Sequence, residues 1–386
     1  MTMTTLTSIN IYPIKSTAGI SLSNSWVDDY GLSFDRRFVV TDEQGQFISA
    51  RTEPNLCLIQ ASITPLGLIL TAPDMPLLEL SYSGFSKNHQ SVTVWKDTIN
   101  SQHCSAAIDH WFSQFLKRPC QLHFFSENST RYVKNSNKQV GFADGYPLLL
   151  ISQASLADLN QRLGKHAVTM AHFRPNLVVE NTQAFEEDTW RHIRIGEVEF
   201  ELVKPCSRCI MTTVNPATAE KSNVQQPLKT LKQFRQVESG DVMFGQNLVA
   251  LNKGQLHLGD KVTILDQQSP PVFIKKSSTT KNASQPAKKA PDKKAKKKSS
   301  ITLNFDSWNK EVKGNTKKPI LDQGEDAGLL LPYSCRGGMC GRCKIKLESG
   351  QVRQLADDGL SDDEKAQGYV LACSAIPETD VVLSKP

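Results

Sequence analysis

The chain has 386 residues, 39% of them hydrophobic and 22% charged, with nine cysteines and a formal net charge of +6. That length exceeds one ordinary domain, so two or three are expected. No apolar run approaches the roughly eighteen residues of a membrane span, and the N-terminus (Met-Thr-Met-Thr-Thr-Leu-Thr) lacks the basic-then-apolar pattern of a signal peptide. An odd cysteine count argues against a disulfide scaffold and for a reducing, cytoplasmic setting. The basicity is local: ten lysines and one acid, Asp292, lie between Lys275 and Lys298, and the remainder holds 35 basic and 38 acidic side chains.

In chain order, β signals come first. Thr7 to Tyr12 reads as a strand, and Phe34 to Thr41 with Gln46 to Ala50 reads as a hairpin around Glu43-Gln-Gly45. Leu66 to Thr71 and Ser91 to Trp95 add strands, and Arg194 to Val203 is a strand pair folded at Gly196. One helix is predicted after Ser152: Leu156, Leu159 and Leu163 share a face, and Gly164 stands at its C-terminal stop. The first 265 residues thus form two β-rich units with helical decoration, divided between Cys120 and Val140.

From Ser269 to Ser300 the composition turns to Lys, Ala, Ser and Pro, without apolar periodicity after Ile274. Such a stretch buries too little surface to fold and reads as a flexible linker. No aromatic residues are interleaved to stack on bases, so a solvated, self-repelling tether is preferred over a nucleic-acid patch. Its reach as a coil is on the order of 30 Å.

Beyond it lie Cys335, Cys340, Cys343 and Cys373. The C-x4-C-x2-C…C spacing is the plant-type ligand set of a [2Fe–2S] cluster. Gly337, Gly338 and Gly341 permit the positive φ and close backbone approach that such a loop needs. Their N–H groups can then point at the cluster sulfurs. Lys344 to Leu347 alternates as a strand, Ser349-Gly350 reads as a turn, and Ser361-Asp-Asp-Glu364 is a capping-box signature. Gly368 to Cys373 brings in the last ligand. A structural zinc site would usually repeat the C-x-x-C pair, whereas here the fourth cysteine stands alone. Residues 301–383 resemble the plant-type ferredoxin family.

A second cysteine pair lies in Lys204-Pro-Cys206-Ser-Arg-Cys209, followed by Ile210-Met-Thr-Thr-Val-Asn-Pro216. By spacing alone it is half a zinc site, a redox pair, or two ordinary cysteines. A thioredoxin-like pair would open a helix, but the β-branched run and Pro216 predict strand or loop. The eight histidines are scattered singly and offer poor further zinc ligands.

Seven motifs in order narrow these choices: Tyr12-Pro-Ile-Lys-Ser16, Phe34-Asp-Arg36, Ala50-Arg-Thr-Glu-Pro54, Phe142-Ala-Asp-Gly-Tyr-Pro147, Phe173-Arg-Pro-Asn176, Lys204 to Cys209, and Phe244-Gly-Gln-Asn247. Together they resemble the MOSC family, and the ferredoxin-type tail matches its bacterial YcbX-type members. The mitochondrial amidoxime-reducing component is a relative without that tail. The implied fold is mainly β with α+β elements: an N-terminal β-barrel domain over 1–125 and a MOSC β-barrel domain over 126–266. A linker over 267–300 and a β-grasp ferredoxin-type domain over 301–386 follow.

The resemblance implies a molybdenum cofactor with Cys209 as the metal-ligating thiolate; Cys206 matches no ligand. An anionic metal centre on a phosphorylated pterin calls for cations and forked donors. Lys15, Ser16, Arg36, Arg174, Asn176, Ser207 and Arg208 match family positions near that group, with Arg36 favoured over Arg37. The implied activity is reduction of N-hydroxylated compounds to amines. Electrons would pass through the chain's own [2Fe–2S] domain from an NAD(P)H-dependent flavoprotein reductase. No nucleotide-binding glycine fingerprint appears, so flavin and nicotinamide are expected on that separate partner. Two rival readings are a sulfur or cofactor carrier with a Cys209 persulfide, and a plain electron-transfer protein. Neither nucleic acid nor membrane is expected as a partner.

Overall fold

The structure, a computed structural model, describes residues 3–238, 240–274, 301–329, 331–333, 338, 341–357 and 359–386. Residues 275–300 of the tract expected to act as a tether lie outside them, as do Cys335, Gly337 and Cys340. The chain forms two compact units. One comprises Met1–Cys206, Met211–Thr230 and Met243–Pro271; the other comprises Ser207–Ile210, Leu231–Val242 and Val272–Pro386.

The first unit is organised by an eight-stranded sheet. Its order is Val262–Gln267, Trp190–Ile195, Val198–Arg208, Val242–Ala250, Leu148–Ser152, Leu177–Glu180, Thr5–Ile11 and Ile20–Leu22. The first strand of the chain therefore pairs with Leu177–Glu180, far along the sequence, with Ile9 opposite Leu177. Leu6, Ile9 and Ile11 bury one edge of a core that contains Leu148, Leu150, Trp190 and Phe200. Leu148–Ser152 and Leu177–Glu180 run parallel, and the crossover between them carries the predicted helix, Gln153–Leu163. The Ser152 hydroxyl accepts from the Ser155 N–H at its start, Leu156, Leu159 and Leu163 are buried, and Gly164 ends it at φ +56°.

Three smaller sheets complete this unit, one of them formed by Gly254–His257, Asn24–Asp28 and Gly31–Leu32. The other two carry the N-terminal core. One has four strands ordered Phe38–Thr41, Gln121–Phe124, Asp97–His103 and His89–Val94; the other is a meander of Gln60–Thr64, Gly67–Thr71 and Leu78–Ser81. A helix over Ala106–Leu116 lies against them. It starts at Ser105, whose side chain accepts from the Ile108 N–H, and buries Ile108, Trp111, Phe112 and Leu116 into a core with Phe38, Leu70 and Leu122. The sequence reading contained no such helix, although its apolar residues recur at helical spacing.

The hairpin expected over Phe34 to Thr41 is shorter than predicted. Its first strand begins at Phe38, and Gln46 to Ala50 makes only isolated bridges, Phe47 facing Thr41. Two backbone hydrogen bonds cause this: Asp35 N–H donates to Leu32 O (3.1 Å) and Arg36 N–H to the distant Tyr12 O (2.8 Å), so residues 33–36 form a turn.

In the second unit, residues 301–384 form a mixed five-stranded sheet. Its order is Lys310–Gly314, Ile301–Phe305, Val381–Ser384, Lys344–Ser349 and Tyr369–Leu371. Ile301–Phe305 runs parallel to Val381–Ser384, which requires a long connection rather than a hairpin. The helix Ile320–Asp326 supplies Ile320 and Leu321 to the core with Leu303, Ile345 and Leu383, which is the β-grasp arrangement. The predicted capping box is present: Glu364 N–H donates to Ser361 Oγ (3.2 Å) and Ser361 N–H to Glu364 Oε2 (2.8 Å), opening Asp362–Ala366. Among the described residues no helix is long and apolar enough to cross a membrane.

Candidate functional site

The strand Thr5–Ile11 runs into Tyr12-Pro-Ile-Lys-Ser16, and Pro13 has no N–H to continue a ladder. The chain turns, and Lys15 N–H donates to Phe38 O (2.8 Å). The Lys15 side chain, 6% exposed, donates from Nζ to Phe142 O (2.8 Å) and to Asp144 Oδ1 (2.5 Å). Burial pulls its pKa down to about 8, and the neighbouring Arg131 and Arg51 charges add to that, while Asp144 opposes it. Asp144 also accepts from Arg51 Nη2 (3.1 Å) and Trp95 Nε1 (3.1 Å). Burial favours its neutral form, but the Lys15 and Arg51 charges outweigh this and hold it well below the usual carboxylate range. Its side chain is 57% exposed, so water screens part of that effect.

Arg36 and Arg174 form the other side. Arg36 Nη1 donates to Asp35 Oδ2 (2.6 Å) and to Asn176 Oδ1 (3.0 Å), and its Nη2 donates to Arg174 O (3.3 Å). Asp35 is itself fixed by Tyr12 N–H (2.8 Å). The Tyr12 ring packs against both guanidinium groups, with centroid distances of 4.6 Å to Arg36 and 4.0 Å to Arg174. Asn176 is fully buried: Oδ1 accepts from Arg36 and Leu149 N–H, and Nδ2 donates to Asn10 O (3.1 Å). Its amide thus ties two strands to Arg36. Arg174 Nη1 donates to Thr17 O (2.5 Å), while Nη2 is buried without a hydrogen bond.

Three of these residues have left-handed backbones: Ser16 at φ +75°, Arg36 at +47° and Arg174 at +55°. A non-glycine residue there costs on the order of 1–3 kcal/mol and persists only where the surroundings over-determine it. Such positions cluster where side chains must be aimed. Lys15, Ser16, Arg36, Arg174 and Asn176 are therefore brought together by the first unit, in a polar cluster whose cations Lys15, Arg36, Arg51, Arg131 and Arg174 outnumber the carboxylates Asp35, Asp97 and Asp144. A net positive, largely dry cradle with a spare buried guanidinium donor fits an anionic, phosphate-bearing group.

The motif around Cys209 spans the two units. Lys204 Nζ lies 5.4 Å from the Tyr146 ring centre, and Asn247 Nδ2 donates to Pro205 O (3.4 Å). In the second unit, exposed Ser207 donates to Asp241 Oδ1 (3.1 Å), Arg208 is buried, and Cys209 is half-buried. The strand Val198–Arg208 ends just before Cys209, and a 3-10 turn over Ile210–Thr213 follows. The thiol thus sits at a strand-to-turn junction rather than at a helix start, and no disulfide joins Cys206 to Cys209. A half-buried thiol in such a position suits a soft metal ligand.

In the ferredoxin-type region, Cys343 and Cys373 are buried with their sulfurs 3.1 Å apart, and Gly338 N–H points at Cys373 Sγ (3.2 Å). Gly338 and Gly341 both adopt φ +72°, and a Cβ on Gly341 would meet Gly359 O at 2.8 Å. Two converging thiols with a backbone donor on one sulfur fit a thiolate-held cluster. The other predicted ligands, Cys335 and Cys340, lie outside the described residues.

Two β-rich portions precede a β-grasp module with converging cysteines, and sequence comparison gives the class of each part. The MOSC N-terminal beta barrel domain matches residues 3–119, the MOSC domain 137–263, and the 2Fe-2S iron-sulfur cluster binding domain 304–378. The chain belongs to the MOSC-domain family of the mitochondrial amidoxime-reducing components. It is 35% identical over 281 residues to mitochondrial amidoxime reducing component 2 of Rattus norvegicus, covering 67% of this chain and 82% of that one. It is likewise 35% identical over 283 residues to mitochondrial amidoxime-reducing component 1 of Homo sapiens, covering 68% and 83%. Among solved structures, Pectocin M2 at 2.3 Å is similar, with 32% identity, a TM-score of 0.21, and coverage of 22% of this chain and 32% of that one. The cofactors of the chain are Mo-molybdopterin and a [2Fe–2S] cluster.

Several residues of the cradle were absent from the sequence reading as site residues. Asp35, Arg51 and Asp144 lie inside motifs that were recognised, and their polar identity within otherwise apolar or turn-forming runs was the available signal. Arg131 and Trp95 gave no signal, because only the folded chain brings them to Asp144.

Proposed function

We propose that this chain is an oxidoreductase that reduces N-hydroxylated compounds, such as hydroxylamines and N-hydroxylated nucleobases, to amines. The balance is R–NHOH + 2 e⁻ + 2 H⁺ → R–NH2 + H2O. The bound molybdenum cofactor supplies two-electron oxygen-atom chemistry that can be recharged one electron at a time. Everything else falls to the chain's own side chains. Cys209 offers the thiolate to the metal, with Ser207 and Arg208 beside it in sequence. Lys15, Ser16, Arg36 and Arg174 hold the anionic part of the cofactor, and Asn176 keeps Arg36 aimed. Cys335, Cys340, Cys343 and Cys373 hold the [2Fe–2S] cluster that feeds electrons in, received from an NAD(P)H-dependent flavoprotein reductase.

The observation that carries this reading is the cationic cradle: left-handed Ser16, Arg36 and Arg174 beside buried Lys15, with a spare donor on Arg174. A cradle of this kind suits a bound anionic group and has no use in a protein that only docks electron carriers. The direct test supplies the purified full chain with a reduced viologen and an N-hydroxylated base. Formation of the amine, with two electrons consumed per product, supports the reading. If molybdenum-loaded protein forms no amine, the reading fails.

A further inference from the structure

We propose that Arg131 is a positioning residue for the cofactor site, clamping the segment 141–144 so that Phe142 O and the Asp144 carboxylate hold Lys15. This rests on the reading above that Lys15 faces the molybdenum cofactor. Arg131 lies between the two matched MOSC portions, which end at 119 and resume at 137, so neither family description includes it.

The geometry is that of a fork gripping one short stretch of backbone. The Arg131 side chain is 5% exposed. Nε donates to Asp97 Oδ2 (2.8 Å), Nη1 to Gly141 O (3.0 Å) and to Ala143 O, and Nη2 to Asp144 O (3.1 Å). A turn brings this about: Val140 N–H donates to Arg131 O (3.0 Å) and Tyr132 faces Gln139, folding the segment back over the guanidinium. The other side of the segment is fixed by Phe142 N–H on Arg36 O (2.9 Å). A Cβ on Gly141 would lie 2.9 Å from that same oxygen, so only glycine allows the approach.

The segment is therefore held between Arg36 and Arg131, and its remaining acceptors face Lys15. Three carbonyls of a four-residue stretch converge on one guanidinium, which only a planar five-donor group can satisfy together. Lysine at 131 would keep the charge and lose the fork. Without Arg131, three carbonyls would lose their donor and the backbone at Asp144 would lose its anchor, leaving its carboxylate to Arg51 and Trp95 and Lys15 less firmly held.

The test measures Lys15 directly. In the full chain, an amine-acylating reagent is applied at pH 8 and labelling of each lysine is followed by peptide mass spectrometry. Arg131→Lys and Arg131→Gln are each expected to label Lys15 several-fold faster than wild type, while exposed Lys253 is unchanged. Asp97→Asn, which removes only the half-exposed outer anchor, is expected to give a smaller rise at Lys15 and serves if both Arg131 variants fail to fold. Wild-type labelling of Lys15 in a folded variant overturns the proposal. Molybdenum content is measured alongside, and the expected fall corresponds to about a 10–100-fold loss of affinity, as for groups supporting metal sites. Faster Lys15 labelling with full molybdenum content upholds the role of Arg131 and sinks instead the assignment of Lys15 to the cofactor.

Discussion

The cradle around Lys15 and the cysteine run of the ferredoxin-type region are built from contrasting materials. The cradle gathers Tyr12 to Ser16, Arg36, Arg51, Arg131, Asp144 and Arg174 from across some 160 residues of chain, and uses non-glycine residues in left-handed conformations. The ferredoxin-type sequence concentrates three cysteines within nine residues, and its described glycines Gly338 and Gly341 both adopt φ +72°. The first device depends on the whole sheet being in register, because Arg36 and Arg174 meet only when Thr5–Ile11 pairs with Leu177–Glu180. The second is set by close spacing in the sequence. A cofactor held by phosphate contacts needs many weak donors spread in space, whereas a metal cluster needs a few strong covalent ligands close together.

This contrast predicts that the two regions fail separately, and the largest effects come from their metal ligands. Cys209→Ala abolishes reduction of an N-hydroxylated base while the visible iron–sulfur spectrum stays intact; retained turnover removes Cys209 as the ligand. Cys343→Ser gives the converse, with the cluster spectrum and reductase-driven turnover lost. Turnover driven by a small artificial reductant survives, and continued turnover with the physiological donor would end the feeder role.

Smaller effects probe the backbone of each region. Gly341→Ala, forced to keep φ +72° against Gly359 O, destabilises the ferredoxin-type region by about 1–3 kcal/mol, read as earlier thermal loss of the cluster absorbance. An unchanged transition would show that this loop tolerates a side chain. The smallest effect concerns pH. Burial holds the Lys15 pKa at about 8 in the folded chain, below the ordinary lysine value, so the unfolded chain binds more protons between pH 8 and 10. Stability from this group therefore rises with pH across that window. The urea midpoint of cofactor-free wild type should move up relative to Lys15→Met between pH 8 and pH 10, and a relative fall contradicts the burial account.

The same contrast explains what could be read before folding. Three of the four predicted cluster ligands share one short run, so spacing alone pointed to the [2Fe–2S] set, and the Ser361–Glu364 cap was equally local. The helix after Ser152 and the strand pair at Gly196 were legible from periodicity and a turn glycine. The cradle was legible only through resemblance, which named Lys15, Arg36 and Arg174 but carried no information about Arg131 or Trp95. The helix Ala106–Leu116 was missed although Ile108, Trp111, Phe112 and Leu116 recur at helical spacing, and it is the Ser105 cap that the structure shows opening it. The turn at residues 33–36 was missed because Arg36 N–H is claimed by Tyr12 O, a partner 24 residues away that no local pattern reveals.

The central claim is that this one chain carries a molybdenum site on Cys209 fed by its own iron–sulfur cluster. Metal analysis of purified wild type and Cys209→Ala tests it most directly. The account predicts molybdenum and iron together in wild type, and iron alone in Cys209→Ala. Iron without molybdenum in wild type, from cells that make the cofactor, would contradict it.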